Sequence, residues 1–588
     1  MSSTSNLLNL QLKMKNKKID ILIINRSDEF LNEYISPHAQ RLQFVTNFSG
    51  SAGKAIILQN EAYLYVDGRY TFQAKEQINE NEIKSKHLNL FWEELKNFII
   101  KENFKIAVDP KLHSIKEIQK IKEYIKNTST KIEFLKSNII DSIWENKPNI
   151  KHSNIFDHPL KYAGQDRIKK IIDFKENLKK KNLDYYLISG LDNIAWLLNI
   201  RADDILYTPL VYAYLLISQK NKPSLYINKD KINDQLKTEL EKNIDIYSIN
   251  NIKNIFCNIS SDEIVGLDFS ASTYYFLTLL EKYNINYKDS ENFCILSKAV
   301  KNQIEQNGAF SANLRDGVSI TRFIYWLKNE IDINSTDEIL ASNHLKSLRV
   351  NNELFHSLSF DTISAFGKNA ALPHYRVNEV SNAKFQIDNI YLVDSGAQYY
   401  DGTTDITRTI ILGTPSEEQK DRFTRVLKGH IALSNHVFKK GTKGTEIDFL
   451  ARKSLNEIGC DYDHGTGHGI GSFLSVHEAP QRIAKKSMFD SVELIPGMIL
   501  SNEPGYYKLN EYGIRIENLI LVKEKSDDLL YFENLSWCPI DRELVKKELL
   551  NKQEIDWLNK YHLNVFIKLS KFINDKEKKW LKMVTEQL

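Results

Sequence analysis

Cysteine is nearly missing from this chain. Four are present among 588 residues (Cys257, Cys294, Cys460 and Cys538), far apart and never as CxxC. That excludes a disulfide scaffold and a cysteine-rich zinc site, and it suits a reducing compartment. No run approaches the roughly 18 consecutive apolar residues that a membrane helix needs. The opening stretch MSSTSNLLNLQLKMKNKK has no unbroken apolar core followed by a small-residue cleavage site, so the expected location is the cytoplasm. Charge of one sign is also lacking: 79 Lys and Arg against 76 Asp and Glu leave +3, too little to expect nucleic acid or a membrane surface as partner. What remains is a soluble globular composition, 42% hydrophobic and 26% charged, spread over a chain long enough for several domains.

Glycine is scarce and uneven. Of 23, 15 lie between positions 365 and 517. Glycine serves positive φ or close approach of the backbone, so this window is where chemistry is expected.

Short apolar runs (IDILIIN, KAIIL, YLYV, KIAVD) alternate with helical patterns through the first ~150 residues, which reads as an α/β domain. A polar stretch containing Pro148 and Pro159 reads as a linker. A second α/β pattern follows, and AYLYVDGRYTFQAKEQI and PSLYINKDKINDQLKTEL share a strand, charged turn and helix that hint at a repeat. From about Lys301 a helix opens a third region. Its middle holds two hairpin-like segments, NIYLVDSGAQYYDGTTDITRTIIL and IPGMILSNEPGYYKLNEYGIRIENLILV, and its tail from about Ile540 is again helical. The expected class is α/β and α+β multidomain, with domains at 1–158, 159–298 and 299–588.

The two hairpins carry the anomaly. Asp394 ends the run IYLV and Asp405 precedes TRTIIL on the return strand. Carboxylates are poor strand formers and costly to bury, and two on facing strands repel unless a cation lies between them. Both could instead cap surface turns. The second hairpin repeats the pattern: Glu503 follows MILSN, and Glu517 sits inside GIRIENLILV on the same face as Arg515. A buried Arg515–Glu517 ion pair would explain Glu517 and leave Glu503 unpaired. Between the hairpins, DHGTGHGIGSFLSVHEAP holds three histidines. His464 and His468 are four apart, but Gly465, Gly467, Gly469 and Gly471 make a helix, and with it the HExxH pattern, improbable. Four carboxylates against two divalent cations sum to zero charge. An oxygen-rich donor set with one imidazole favours Mn²⁺, Mg²⁺, Fe²⁺ or Co²⁺, and a paired site serves hydrolysis.

DSGAQYYDGTTDITRT, HGTGHGIGSFLSVHEAP, SNEPGYY and GIRIENLILV resemble the pita-bread (creatinase/aminopeptidase) metallopeptidases, and within them the three-domain X-prolyl aminopeptidases. RLQFVTNFSGSAGKAIIL, YLYVDGRYTFQA, LDNIAWLLNIR, SFDTISAFGKNAALPHY and FENLSWCPIDRELV extend the resemblance over nearly the whole chain. It implies two creatinase-like N-terminal α/β domains before a pita-bread catalytic domain, and two divalent metal ions, usually Mn²⁺. Asp405 and Glu517 would bridge the metals, Asp394 would hold one, and His468 with Glu503 the other. Glu503 would also assist proton transfer as a metal-bridging hydroxide attacks. His374 and His477 would contact substrate and stabilise the tetrahedral intermediate, His464 would line the proline pocket, and Arg515 would support a ligating carboxylate. Arg69, in DGRY, would reach the substrate from the first domain. Ala479 stands where HEGP is usual and Ala202 where many relatives have glycine; neither position is a ligand. The implied reaction releases the N-terminal residue from peptides with proline second, and the family also implies a homodimer. The rival readings are a prolidase-type Xaa-Pro dipeptidase and a catalytically inactive pita-bread binding protein.

Overall fold

The runs ILIIN at Ile21–Asn25 and AYLLIS at Ala213–Ser218 are buried on both faces, the mark of inner strands in sheets covered on both sides. The computed structural model, which describes residues 5–101, 103–486 and 492–588, places each in a six-stranded sheet. The first sheet runs Lys84–His87, Ala62–Val66, Lys54–Leu58, Ile21–Asn25, Lys105–Val108, Lys131–Phe134. The second runs Asp245–Ser248, Ser224–Ile227, Ala213–Ser218, Tyr185–Ile188, Ile264–Leu267, Asn286–Asp289. Both repeat one sequence of pairings: parallel, antiparallel, antiparallel, parallel, parallel. The weak sequence echo is thus matched by a shared topology. These sheets form one compact unit, comprising the chain up to Asp157 and Asp166–Cys294; the other unit is His158–Gln165 with Ile295–Leu588.

The second unit opens on the helix Gln303–Asn329. Asn302 caps it by accepting from Ile304 N and Glu305 N, while the Glu305 side chain returns a bond to Asn302 N, a complete capping box. Two glycines interrupt this helix, at a usual cost of about 1 kcal/mol each. Close approach explains both: a Cβ on Gly308 would collide with the Asp401 carbonyl, and one on Gly317 with the Trp537 carbonyl. Gly317→Ala, which would stabilise an ordinary helix, is therefore expected to destabilise this one by about 1–2 kcal/mol through overpacking. A chemical-denaturant melt showing a more stable variant would overturn that account.

The first hairpin-like segment forms two ladders. Asn389–Ser395 pairs antiparallel with Ile406–Leu412 and with Ile363–Phe366. Beyond Gly396 the chain changes partner, and Ala397–Tyr399 pairs with Phe355–Leu358. The change is held by Ser359 N donating to Gly396 O and by the Thr404 hydroxyl accepting from Ala397 N. The second segment pairs Ile499–Asn502 with Asn518–Ser526, and Gly505–Lys508 with Tyr512–Arg515, leaving Glu503 and Glu517 at the two breaks. Ile320, Phe323, Ile390, Ile410, Phe423, Leu427, Leu558 and Val565 belong to one continuous core joining the helices Gln303–Asn329, Glu417–Ser434 and Lys552–Leu569 to the first ladder. Among the described residues, no helix is long and apolar enough to cross a membrane.

Candidate metal centre

Asp394 lies one residue from the end of its strand, directly across the ladder from Thr407; Asp405 immediately precedes the return strand. Glu517 enters from the second ribbon, its backbone N–H donating to Thr407 O (3.2 Å). Glu503 is tied by its N–H to Thr466 O (2.8 Å), which brings it beside the strand Gly467–Gly469 that carries His468. His468 is extended, as the surrounding glycines suggest, with its N–H on the Ser501 hydroxyl (3.0 Å).

Hydrogen bonds fix what each group has left to offer. His468 Nδ1 faces Gly469 O at 3.0 Å, and a carbonyl only accepts, so Nδ1 carries the proton and Nε2 keeps a lone pair. That nitrogen stands 3.6 Å from Asp405 Oδ2 and 3.5 Å from Glu503 Oε1, near enough to share a small ion and too far for a hydrogen bond. Thr407 donates its hydroxyl to Glu517 Oε2 (2.7 Å) and accepts from Arg515 Nε (3.2 Å). Arg515 Nη2 donates to Asp394 Oδ2 (2.6 Å). The ion pair considered from strand alternation, Arg515 with Glu517, is not the one formed: alternation gives the face, and the arginine spans to the other ribbon.

Three carboxylate oxygens remain with no hydrogen-bond partner although buried: Asp394 Oδ1, Asp405 Oδ1 and Glu517 Oε1. Such atoms cost free energy unless something positive meets them. One donor atom each from Asp405, His468 and Glu517 lie within 4.8 Å of one another. Electrostatics agree. Burial pushes the Asp405 carboxyl well above its ordinary range, and Glu517, Asp394 and Glu503 push it further. Glu517 is raised for the same reasons, burial first. Burial lifts Glu503 to about 7 against the lowering pull of Arg515. A single guanidinium does not balance four carboxylates. The residues present therefore fit divalent cations held by oxygen with one imidazole nitrogen, a donor set for hard or borderline ions.

The remaining residues singled out from sequence fall in different places. The His477 ring stands edge-on to His468, centroids 4.4 Å apart. His464 is buried with Nδ1 on Gly465 O and Nε2 on the Tyr507 hydroxyl (both 2.8 Å), so neither nitrogen is left for a metal. Tyr507 also accepts from Arg515 Nη1 (2.6 Å), linking His464 to the arginine that holds Asp394. His374 is half-buried, on the loop that follows the strand paired with Asp394. Glu338 anchors that loop on both sides, accepting from Phe366 N (2.6 Å), Tyr375 OH (2.8 Å) and Ala383 N (2.9 Å). Arg69 belongs to the other unit, where its guanidinium makes a two-point pair with Asp67 (2.9 and 2.7 Å). Sequence reasoning missed Thr407, Tyr507 and Glu338. Thr407 alone carried a signal, as the strand residue opposite Asp394.

Comparison with known proteins gives the same frame. The chain matches the model of metallopeptidase family M24 over residues 311–524 and that of the C-terminal region of peptidase M24 over 528–588. Creatinase/prolidase N-terminal domains match twice, at 7–136 and 146–305. A protein of Neosartorya fischeri named "Probable Xaa-Pro aminopeptidase P" is 36% identical over 606 residues, covering 99% of this chain and 92% of the relative. One of the same name from Laccaria bicolor is 35% identical over 591 residues, covering 97% and 91%. The crystal structure of X-prolyl aminopeptidase from Caenorhabditis elegans, described as a cytosolic enzyme with a di-nuclear active site, superposes with a TM-score of 0.92 at 30% identity, covering 99% of this chain and 100% of that one. An Xaa-Pro dipeptidase from Bacillus anthracis shares the fold over 64% of this chain and 99% of its own, at 24% identity and a TM-score of 0.52. With two creatinase-type N-terminal domains, a pita-bread domain and the acidic cluster between its hairpins, the chain belongs to the M24 metallopeptidases, alongside the Xaa-Pro aminopeptidase P proteins it matches from end to end.

Proposed function

We propose that this protein is a dinuclear-metal aminopeptidase that releases the N-terminal residue from peptides with proline in the second position. The observation that carries the reading is the convergence of three unpartnered carboxylate oxygens on the His468 imidazole in a buried centre. End-to-end similarity to the Xaa-Pro aminopeptidase P proteins supports the substrate class. An Xaa-Pro bond has no N–H, and its ring fixes φ, so general aminopeptidase sites accommodate it poorly.

In this reading Asp405 and Glu517 would be shared between the two ions, with Asp394 completing one set of ligands and His468 with Glu503 the other. Bound there, two divalent cations, with manganese expected, supply Lewis acidity and activate water at neutral pH. The side chains do the rest. Arg515 and Thr407 each occupy one oxygen of a ligand and so aim the other inward. Glu503 has a side chain 17% exposed, against 5% for Asp405, and is the ligand best reached by an incoming water or leaving amine, which suits it to pass a proton between them. His477 and His374 donate to the developing oxyanion. His464, with both nitrogens engaged, presents a ring wall to the proline, and Arg69 serves as a further substrate-binding residue. The domain limits at 1–158, 159–298 and 299–588, a homodimer and a cytoplasmic location complete the proposal; the C. elegans structure's description as cytosolic supports the last.

Manganese-restored protein is expected to release arginine from Arg-Pro-Pro and to leave Arg-Ala-Pro nearly uncut, measured by liquid chromatography of products. Turnover confined to Xaa-Pro dipeptides would establish the dipeptidase instead. No turnover of either by manganese-loaded protein would sink both.

A further inference from the structure

Arg408 is buried, and its guanidinium makes six hydrogen bonds to four separate parts of the second unit. Nη1 donates to Thr407 O (2.8 Å) and Glu517 O (2.7 Å). Nη2 donates to Asn518 Oδ1 (2.9 Å), Cys538 O (2.9 Å) and the Tyr561 hydroxyl (2.8 Å), and Nε to Pro539 O (3.0 Å). None of these acceptors is a carboxylate. Among the described residues no carboxylate pairs with it, so its burial is offset by the fork of five N–H donors, one of them shared between two acceptors.

The fork joins two things. On one side it grips the backbone of Thr407 and Glu517. Glu517 is then held at its N–H by Thr407 O, at its carbonyl by Arg408 and at Oε2 by the Thr407 hydroxyl, with Oε1 left over. On the other side the fork grips the C-terminal region. Tyr561, on the helix Lys552–Leu569, accepts from Arg408 and donates its own O–H to Cys538 O (2.9 Å). Its ring is stacked between Trp557 and Trp537, centroids 5.3 and 5.8 Å away.

We propose that Arg408 and Tyr561 are positioning residues for the metal centre, through which the C-terminal region sets the placement of Glu517 and hence the affinity for the two cations it would help to hold, the looser-bound one most visibly. The inference rests on the two-metal reading above. Orienting partners of this kind typically contribute about 10- to 100-fold in metal affinity.

The test uses full-length protein stripped by chelator and titrated with Mn²⁺ alone against a chromogenic competitor, with thermal melting of the metal-free form in parallel. Arg408→Lys keeps the charge and loses the planar fork; it is expected to weaken the looser of two Mn²⁺ sites by about 10- to 100-fold. Tyr561→Phe keeps the ring stack and loses the hydroxyl's bonds to Arg408 and to Cys538 O; it is expected to lower the metal-free melting temperature modestly and, in addition, to weaken the same site by roughly 3- to 10-fold. A merely structural role would lower the metal-free melting temperature and leave Mn²⁺ affinity alone. Affinity within about twofold of wild type in Tyr561→Phe overturns the inference, including the case in which Arg408→Lys fails to fold. Wild-type protein that binds no Mn²⁺ refutes the two-metal reading itself, a separate outcome.

Discussion

Asp405→Asn is expected to lose more than about 100-fold in peptide-bond hydrolysis, and its metal-free form is expected to melt higher than metal-free wild type at pH 8. The two effects have one cause. Asp405 is the carboxylate that feels Glu517, Asp394 and Glu503 together, in a place where burial already disfavours charge. Without a cation it is either charged and repelled, or protonated at a cost of about 1.4 kcal/mol for each pH unit above its ordinary value. The amide removes that cost and keeps the shape, and each ~1 kcal/mol of relief raises the melting temperature by roughly 1–2 °C in a unit of this size. It also puts an amide nitrogen, which has no lone pair for a metal, in place of one of the two carboxylate oxygens beside His468 Nε2. A variant less stable than wild type when both are metal-free, yet still active, would show that Asp405 is a folding residue and not a ligand.

Chelation should matter more as pH rises. Glu503 is lifted from 4.5 to about 7 in the folded chain, so between those values the folded state holds a proton that the unfolded state has released. Stability of the metal-free protein then falls as pH climbs from about 4.5 through 7. Cations reverse the sign, because they bind the deprotonated carboxylates and the neutral imidazole and so bind more tightly as pH rises. The buried His430 and His562 run the other way. Burial lowers both to about 3, so they stabilise fully above 6.5 and that contribution is lost as pH falls toward 3. Their effect is common to loaded and stripped protein and cancels in the difference. The gap in melting temperature between manganese-loaded and chelated protein is therefore expected to widen from pH 5 to pH 8. At a cation concentration of ~1,000 Kd each site adds about 4 kcal/mol. A gap of equal size at both pH values would contradict the buried, mutually repelling carboxylates.

Much of this centre was legible because it violates local rules. Asp394 and Asp405 sit against apolar strand runs where carboxylates do not belong, and glycine at every second position around His468 forbids the helix that its spacing to His464 suggests. What was not legible lies in contacts that sequence separates widely. Thr407 reaches Glu517 across 110 positions and Arg408 reaches Tyr561 across 153. A threonine and an arginine on a strand carry no local mark of such partners. Alternation placed Arg515 on the face of Glu517 and stopped there, since the competing acceptor, Asp394, arrives from another ribbon. The hairpin reading of 389–412 was right in pairing and incomplete in extent, because the switch of partner beyond Gly396 depends on the Phe355–Leu358 strand far upstream. The two six-stranded sheets showed only a faint echo in sequence, since topology survives where side chains have diverged.

The helix Gln303–Asn329 has a mechanical consequence. Gly308 and Gly317 are nine residues apart, about two and a half turns, so the Asp401 and Trp537 carbonyls press into opposite sides of the same rod. A shaft notched on both flanks can neither roll nor slide without lifting a carbonyl out of its notch. Whatever rearranges around this centre must therefore do so against a rod that is pinned on two flanks.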